Sequence, residues 1–126
     1  MLPYGKQTID EADIQAVVDV LRSDWLTTGP VVNQFEEAFS DYTNAHSATS
    51  VCNGTAALQA AMNALGIQPS DEVVVPALTF CATSNAVLYH GGTPVFADVS
   101  ADTLLIDPED VANKITAKTK AIIAMD

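Results

Sequence analysis

The chain has 126 residues, 48% of them hydrophobic, and a formal net charge of −11. That length suits one domain with a packed core and is too short for two, and the apolar runs are broken by Asp, Asn, Gly or Pro before they could span a bilayer. Lys6, Arg22, Lys114, Lys118 and Lys120 are the only strong cations, so no basic patch can be assembled and the balance argues against nucleic acid as a partner.

An anionic ligand would therefore be held by backbone N–H groups and hydroxyls rather than by an arginine cluster. Residues 1–25 are amphipathic and rich in carboxylates, unlike a secretory signal, so the cytoplasm is the expected compartment. Leu2-Pro-Tyr-Gly5 reads as an extended lead-in, because Pro3 removes a donor and biases Leu2 away from helix. A first helix is expected over residues 8–22. Thr8 followed by Glu11 is a capping-box pattern, and Ile14, Val17, Val18 and Leu21 share one face. The loop Ser23-Asp-Trp-Leu-Thr-Thr-Gly-Pro30 holds the single Trp of the chain. Its Thr27, Thr28 and Gly29 suit either a plain connector or a ligand lid. Pro30 fits the first position of a second helix, on which Val32, Phe35, Phe39 and Tyr42 form an apolar stripe.

Ser47-Ala-Thr-Ser-Val-Cys-Asn-Gly-Thr-Ala-Ala-Leu58 reads as a short buried strand, a tight turn at Asn53-Gly54 and a helix opening at Thr55. The first N–H groups of a helix lack intrahelical partners and carry partial positive charge. With the Thr55 hydroxyl beside them and no Cβ on Gly54, they make a place to hold a phosphate. The alternative is that Asn-Gly-Thr only connects two elements. Leu58, Ala61, Met62 and Leu65 then mark the buried face of a third helix, stopped by Gly66.

Asp71-Glu-Val-Val-Val-Pro76 is a β-branched run closed by proline, the pattern of a buried parallel strand. Thr79 to Tyr89 reads as a helix closed by Gly91-Gly92, and Pro94 to Val99 as the next strand. Asp107 caps a helix that starts at Pro108 and turns Val111 and Ile115 inward; Lys120 to Asp126 is a last strand. Strands alternating with helices imply an α/β fold with a mainly parallel sheet flanked by helices.

In such a sheet ligands sit at the carboxyl ends of the strands. The Gly54-Thr55 turn and Ala77-Leu-Thr-Phe80 both follow such ends, so a phosphate grip beside an exposed aromatic would suit a flat, phosphorylated heteroaromatic ligand. Phe80 reads equally as a core residue at the start of the fourth helix. Cys52 and Cys81 have no metal-ligand spacing and read as buried small residues, so no metal is expected. His46 and His90 read as solvated or capping. Asp98, Asp102 and Asp107 read as turn and cap residues, and no catalytic nucleophile is evident.

Several segments together resemble a known family. They are Leu2-Pro-Tyr-Gly5, Trp25-Leu-Thr-Thr-Gly-Pro30, Phe35-Glu-Glu-Ala-Phe39, Asn53-Gly-Thr-Ala-Ala-Leu58, Asp71-Glu-Val-Val-Val-Pro-Ala-Leu-Thr-Phe80, Thr93-Pro-Val-Phe-Ala-Asp98 and Thr119-Lys-Ala-Ile-Ile123. In this order they look like the start of a DegT/DnrJ/EryC1/StrS nucleotide-sugar aminotransferase, a fold type I pyridoxal-phosphate (PLP) enzyme. The Pro-Tyr-Gly start and the Pro-Ala-Leu-Thr-Phe-Cys-Ala-Thr-Ser-Asn run resemble the branch that aminates a UDP-linked 4-keto-6-deoxy-N-acetylhexosamine at C4 in pseudaminic acid biosynthesis.

The resemblance implies that Gly54, Thr55 and Ala56 bind the PLP phosphate and that Phe80 stacks on the pyridine ring. It puts Thr27, Thr28, Gly29 and Tyr4 near the sugar. It implies a nucleotide-linked keto sugar and glutamate as substrates, and a homodimer. Residues 1–30 then supply a helix and a substrate-side loop, and residues 31–126 the start of the sheet. The lysine that anchors the cofactor, and the Asp that pairs with its pyridine nitrogen, are expected beyond residue 126, so these residues alone are expected to be inactive. A sugar dehydratase of the same family remains a possible branch. A non-catalytic α/β module that binds a phosphorylated ligand is the alternative outside it.

Overall fold

The computed structural model describes residues 5–125, so Tyr4, most of the lead-in and Asp126 lie outside the described residues. The chain divides into two compact units, Met1–Ser50 and Val51–Asp126.

The first unit carries helices α1 (Glu11–Arg22) and α2 (Pro30–Thr43). Helix α1 starts later than the Thr8 cap implied. Asp10 is extended and its Oδ1 accepts from the N–H groups of Ala12 (2.8 Å) and Asp13 (3.1 Å), while Asp13 Oδ2 accepts from Asp10 N–H at 3.0 Å. This reciprocal box satisfies the orphan donors with carboxylates, which are stronger acceptors than the Thr8 hydroxyl. Helix α2 begins with Pro30 at its first turn, as expected, and ends at Asn44 in the left-handed region (φ 53°).

The helical stripes fall where the spacing put them, yet neither helix has a buried residue among those described. Ile14, Val17 and Leu21 on α1, and Val32, Phe35, Phe39 and Tyr42 on α2, are all exposed. Within α2, Glu36 Oε1 accepts from both the N–H (2.7 Å) and the Oγ (2.8 Å) of Ser50, which follows the helix. The expected strand ahead of Asn53 does not form. Its Ser50 N–H goes to a side chain, no described strand pairs with it, and Val51 is 43% exposed. A β-branched residue in extended backbone becomes a strand only when a neighbour completes the ladder.

The second unit is the α/β body. Helix α3 (Gly54–Ala64) leads to β1 (Glu72–Pro76), α4 (Ala82–Tyr89), β2 (Thr93–Ala97), α5 (Pro108–Lys114) and β3 (Thr119–Ile122). The sheet has the order β2-β1-β3 and both pairings are parallel. Val74 pairs with Val95 on one side and with Ile122 on the other.

Central β1 separates two apolar layers. Val73 and Val75 pack with Met62, Ile67, Ala86 and Val87, on the side of α3 and α4. Val74, one residue out of phase, packs with Ala97 and Val111 on the side of α5. A strand buried on both faces has to be apolar at every position, which is why Val-Val-Val was legible as a parallel core strand.

Local chemistry fixes the ends of these elements. Gly66, in the left-handed region (φ 63°), closes α3; its N–H reaches the Asn63 carbonyl and the Ile67 N–H reaches that of Met62. Asp107 Oδ1 accepts from Glu109 N–H at 2.9 Å, the expected cap of α5. One turn on, Asp110 Oδ2 accepts from Lys114 Nζ (2.7 Å) and Asp98 N–H (2.6 Å), tying α5 to the segment after β2. Those two donors, Lys114 first, hold the Asp110 carboxyl below its ordinary range.

Three expectations are corrected here. Ile115 lies just past α5 and is exposed, because the helix ends at Lys114. Helix α4 starts at Ala82 rather than Thr79, since residues 77–81 are needed to turn the chain out of the sheet. Cys52 and Cys81 are both exposed free thiols rather than buried ones. Cys52 lies in the bend before α3 instead of a strand, and Cys81 occupies the cap of α4, where no described element covers it.

Two outcomes follow for the full-length protein. A Cβ on Gly92 would sit 2.7 Å from Ile67 Cγ2 and 3.0 Å from Val87 Cγ1, both on buried residues. Gly92→Ala should therefore cost about 1–3 kcal/mol by overpacking, read as a lower urea midpoint at unchanged slope. Glu36 is the second case. The Ser50 N–H and then its hydroxyl hold this carboxyl below its ordinary value of 4.5. A depressed folded value contributes stability that is present above the unfolded value and lost as pH falls through the folded one. Glu36→Gln should flatten that acid-side loss in melting scans below about pH 4.5; an unchanged profile would remove Glu36 from the acid response.

Candidate functional site

The site is built by two elements of the second unit that the sheet brings side by side. The first is the start of α3. Asn53 is extended (φ −169°), and its Oδ1 accepts from Ala56 N–H at 2.8 Å. This cap removes one orphan donor from the helix terminus. Among the described residues, the N–H groups of Gly54 and Thr55 find no acceptor. A Cβ built on Gly54 would meet no atom within 4 Å, so the space over this turn is open.

The second element is the segment from Ala77 to Cys81 that carries the chain from β1 into α4. Ala77 N–H donates to the Ala97 carbonyl at 2.8 Å, extending the β1–β2 ladder one step beyond the strands. The backbone then turns, with Thr83 N–H donating to the Phe80 carbonyl at 3.0 Å. Phe80 leaves the core altogether and is 69% exposed, so it is not the helix-start core residue that its sequence position also allowed.

Gly54, Thr55, Ala57, Leu58, Ala61, Phe80, Ala82 and Thr83 line one pocket of about 720 Å³. That volume lies in the range of small-molecule sites. It opens beyond the carboxyl end of β1, whose two neighbours lead off to opposite edges of the sheet, the usual position for a ligand in an open parallel sheet. The pocket thus brings together Gly54, Thr55 and Phe80. Ala56 is not in its wall, and its N–H is already committed to Asn53.

The wall is apolar apart from the Thr55 and Thr83 hydroxyls and backbone, and it contains no titratable side chain. It can hold and orient a ligand but has no acid or base to offer. Among the described residues no group of His, Cys, Asp or Glu has the arrangement of a metal site. His90 Nδ1 lies 3.0 Å from the Ala86 carbonyl at the end of α4, a capping contact.

The wall residues that sequence reasoning missed are Ala57, Ala82 and Thr83, together with the roles of Leu58 and Ala61. Gly54, Ala57, Leu58 and Ala61 follow i, i+3, i+4, i+7, so a stripe of small residues running from the turn was the available signal. Of Leu58, Ala61, Met62 and Leu65, the expected buried face of α3, only Met62 is fully buried; Leu58 is partly buried against the core and Leu65 is exposed.

Thr27, Thr28 and Gly29 belong to the first unit. Thr28 is in the left-handed region (φ 49°), where a β-branched residue is strained. Such strain is a known companion of functional loops. Tyr4 lies outside the described residues.

Residues 7–126 match the sequence profile of the DegT/DnrJ/EryC1/StrS aminotransferase family. The chain is 44% identical over 122 residues to the spore coat polysaccharide biosynthesis protein SpsC of Bacillus subtilis, covering 97% of this chain and 31% of that protein. It is also 44% identical over 122 residues to the UDP-4-amino-4-deoxy-L-arabinose–oxoglutarate aminotransferase of Shewanella sediminis, again 97% and 31%. Among solved structures, Spr1654 of Streptococcus pneumoniae in its PLP form superposes with a TM-score of 0.89 at 40% identity, over 96% of this chain and 31% of that one. The chain therefore spans about a third of the length of these relatives.

Gly54→Ala tests the pocket without disturbing the body. The added methyl meets nothing in the protein, so the unfolding free energy should change by less than about 1 kcal/mol. It should nonetheless weaken binding of a phosphorylated heteroaromatic ligand, measured by fluorescence titration. Equal affinity would place the ligand away from this turn.

Proposed function

Because this chain belongs to the DegT/DnrJ/EryC1/StrS aminotransferase family, we propose that it is the amino-terminal portion of a PLP-dependent enzyme that aminates a nucleotide-linked keto sugar. The observation that carries the reading is the meeting of Gly54, Thr55 and Phe80 in one pocket at the carboxyl end of β1.

The residues present fit PLP. Two free amides at a helix start, with the Thr55 hydroxyl beside them, offer donors to a phosphate dianion, and the helix dipole adds to their pull. Open space over Gly54 admits the phosphate oxygens. Phe80 offers an exposed ring face for a flat heterocycle. The small Ala57 and Ala61 leave room between these two contacts.

When bound, PLP supplies an electron sink for moving an amino group between carbon atoms. This chain's own part is to bind and orient. Gly54 and Thr55 anchor the phosphate, Phe80 holds the ring plane, and the apolar wall keeps water from one side. With no acid or base in that wall, the lysine that anchors the cofactor and moves protons, and the carboxylate that pairs with the ring nitrogen, would come from residues outside this sequence.

For the substrate side we assign Thr27, Thr28, Gly29 and Tyr4 to sugar contacts. The strained Thr28 supports that choice. The proposed acceptor is a UDP-linked 4-keto-6-deoxy-N-acetylhexosamine, as in pseudaminic acid biosynthesis, with glutamate as amino donor. The enzyme is proposed to act in the cytoplasm as a homodimer. No described helix is long and apolar enough to cross a membrane.

Thr55→Val in the full-length protein is the direct test. It removes one hydroxyl contact to a charged group and should weaken PLP retention by about 1.5 kcal/mol, roughly tenfold in the dissociation constant. The measurement is the visible absorbance of bound cofactor during titration of the stripped protein. Unchanged affinity would return Thr55 to a structural role.

A further inference from the structure

Thr83 is the one polar residue counted as buried among those described, with 7% of its surface exposed. A buried hydroxyl without a partner is costly. In the first turns of a helix, Thr commonly returns its hydroxyl to the carbonyl four residues back. Thr83 instead meets the hydroxyl of Thr79, Oγ1 to Oγ1, at 2.9 Å. Thr79 in turn donates to Met125 Sδ at 3.5 Å. A thioether has no proton to give, and each hydroxyl has only one. The proton between the two threonines therefore belongs to Thr83, and the bonds run from Thr83 to Thr79 to Met125.

This pair straddles Phe80. Thr79 immediately precedes it, Thr83 is the second residue of α4, and Thr83 N–H also donates to the Phe80 carbonyl at 3.0 Å. Phe80 is too exposed for packing to set its direction. The backbone that carries it must do so, and the hydroxyl pair closes that backbone on both sides. Phe80 and Thr83 line the same pocket.

We infer that Thr79 and Thr83 form a hydroxyl clamp that sets the orientation of Phe80, which makes Thr83 a positioning residue for the aromatic wall of the pocket. The cofactor part of this inference rests on the assignment of that pocket to PLP. The clamp itself does not.

The test uses the full-length protein with Thr83→Val, which keeps the shape and removes the hydroxyl, and Thr83→Ser, which keeps the hydroxyl. In stripped protein, amide hydrogen exchange over residues 77–85 should accelerate in Thr83→Val and stay at the parent rate in Thr83→Ser. In the loaded protein, Thr83→Val should raise the PLP dissociation constant roughly fivefold, about what one neutral hydrogen bond is worth. The visible circular dichroism of the bound ring should change with it, and Thr83→Ser should restore both.

In a Phe80→Ala background the same Thr83→Val change should add nothing further, because its effect passes through the ring. Unchanged exchange in Thr83→Val overturns the clamp. A full fivefold effect that persists without Phe80 overturns the positioning role. Faster exchange in Thr83→Val, together with a parent protein that takes up no PLP, supports the clamp and refutes the cofactor assignment instead.

Discussion

The burial of β1 on both faces is the constraint on which the second unit depends. Val73 and Val75 face α3 and α4, Val74 faces α5, and the strand sits between β2 and β3. A backbone so enclosed can satisfy its polar groups only through parallel ladders on both sides. Both neighbours must then be reached by crossovers, which sends helices to the two faces and frees the carboxyl end of β1 for loops. The pocket exists because that end cannot be covered by the strands themselves.

A second constraint is charge. With 16 acidic residues against 5 basic ones, the chain has almost no cation to spare for an anionic ligand. Lys114 and Lys120 are engaged with Asp110 and Asp71. Attraction for a phosphate at the pocket therefore falls to backbone dipoles and hydroxyls, and it matters that the first turn of α3 holds no carboxylate. Helices α1 and α5 begin with acidic first turns capped by Asp10 and Asp107, whereas α3 is capped by the uncharged amide of Asn53. The capping rule is the same at all three termini, but only at α3 does it leave the positive end of the dipole without an opposing charge.

The apolar faces of α1 and α2 show the other side of patterning. Ile14, Val17 and Leu21 repeat at helical spacing, as do Val32, Phe35 and Phe39, yet all are exposed among the described residues. Periodicity reports that a helix has a face to bury and says nothing about what buries it. The segment before Asn53 teaches the same lesson for strands: its residue types favour extended backbone, which it adopts at Asn53, without a ladder partner.

What the sequence by itself determined are the features that depend on neighbours a few residues away. The Val-Val-Val strand, the Asp107-Pro108 helix start, the Gly66 stop and the Asn53-Gly54-Thr55 turn all follow from backbone preferences and side-chain caps within one turn of chain. The family resemblance rests on such segments too. Tertiary structure alone decided which of these came together. It turned Phe80 out of the core and toward Gly54 and Thr55, put Leu58 and Ala61 in the pocket wall, exposed both cysteines, and paired Thr79 with Thr83. Those outcomes depend on where β1 ends relative to α3, a distance through space that no local spacing encodes.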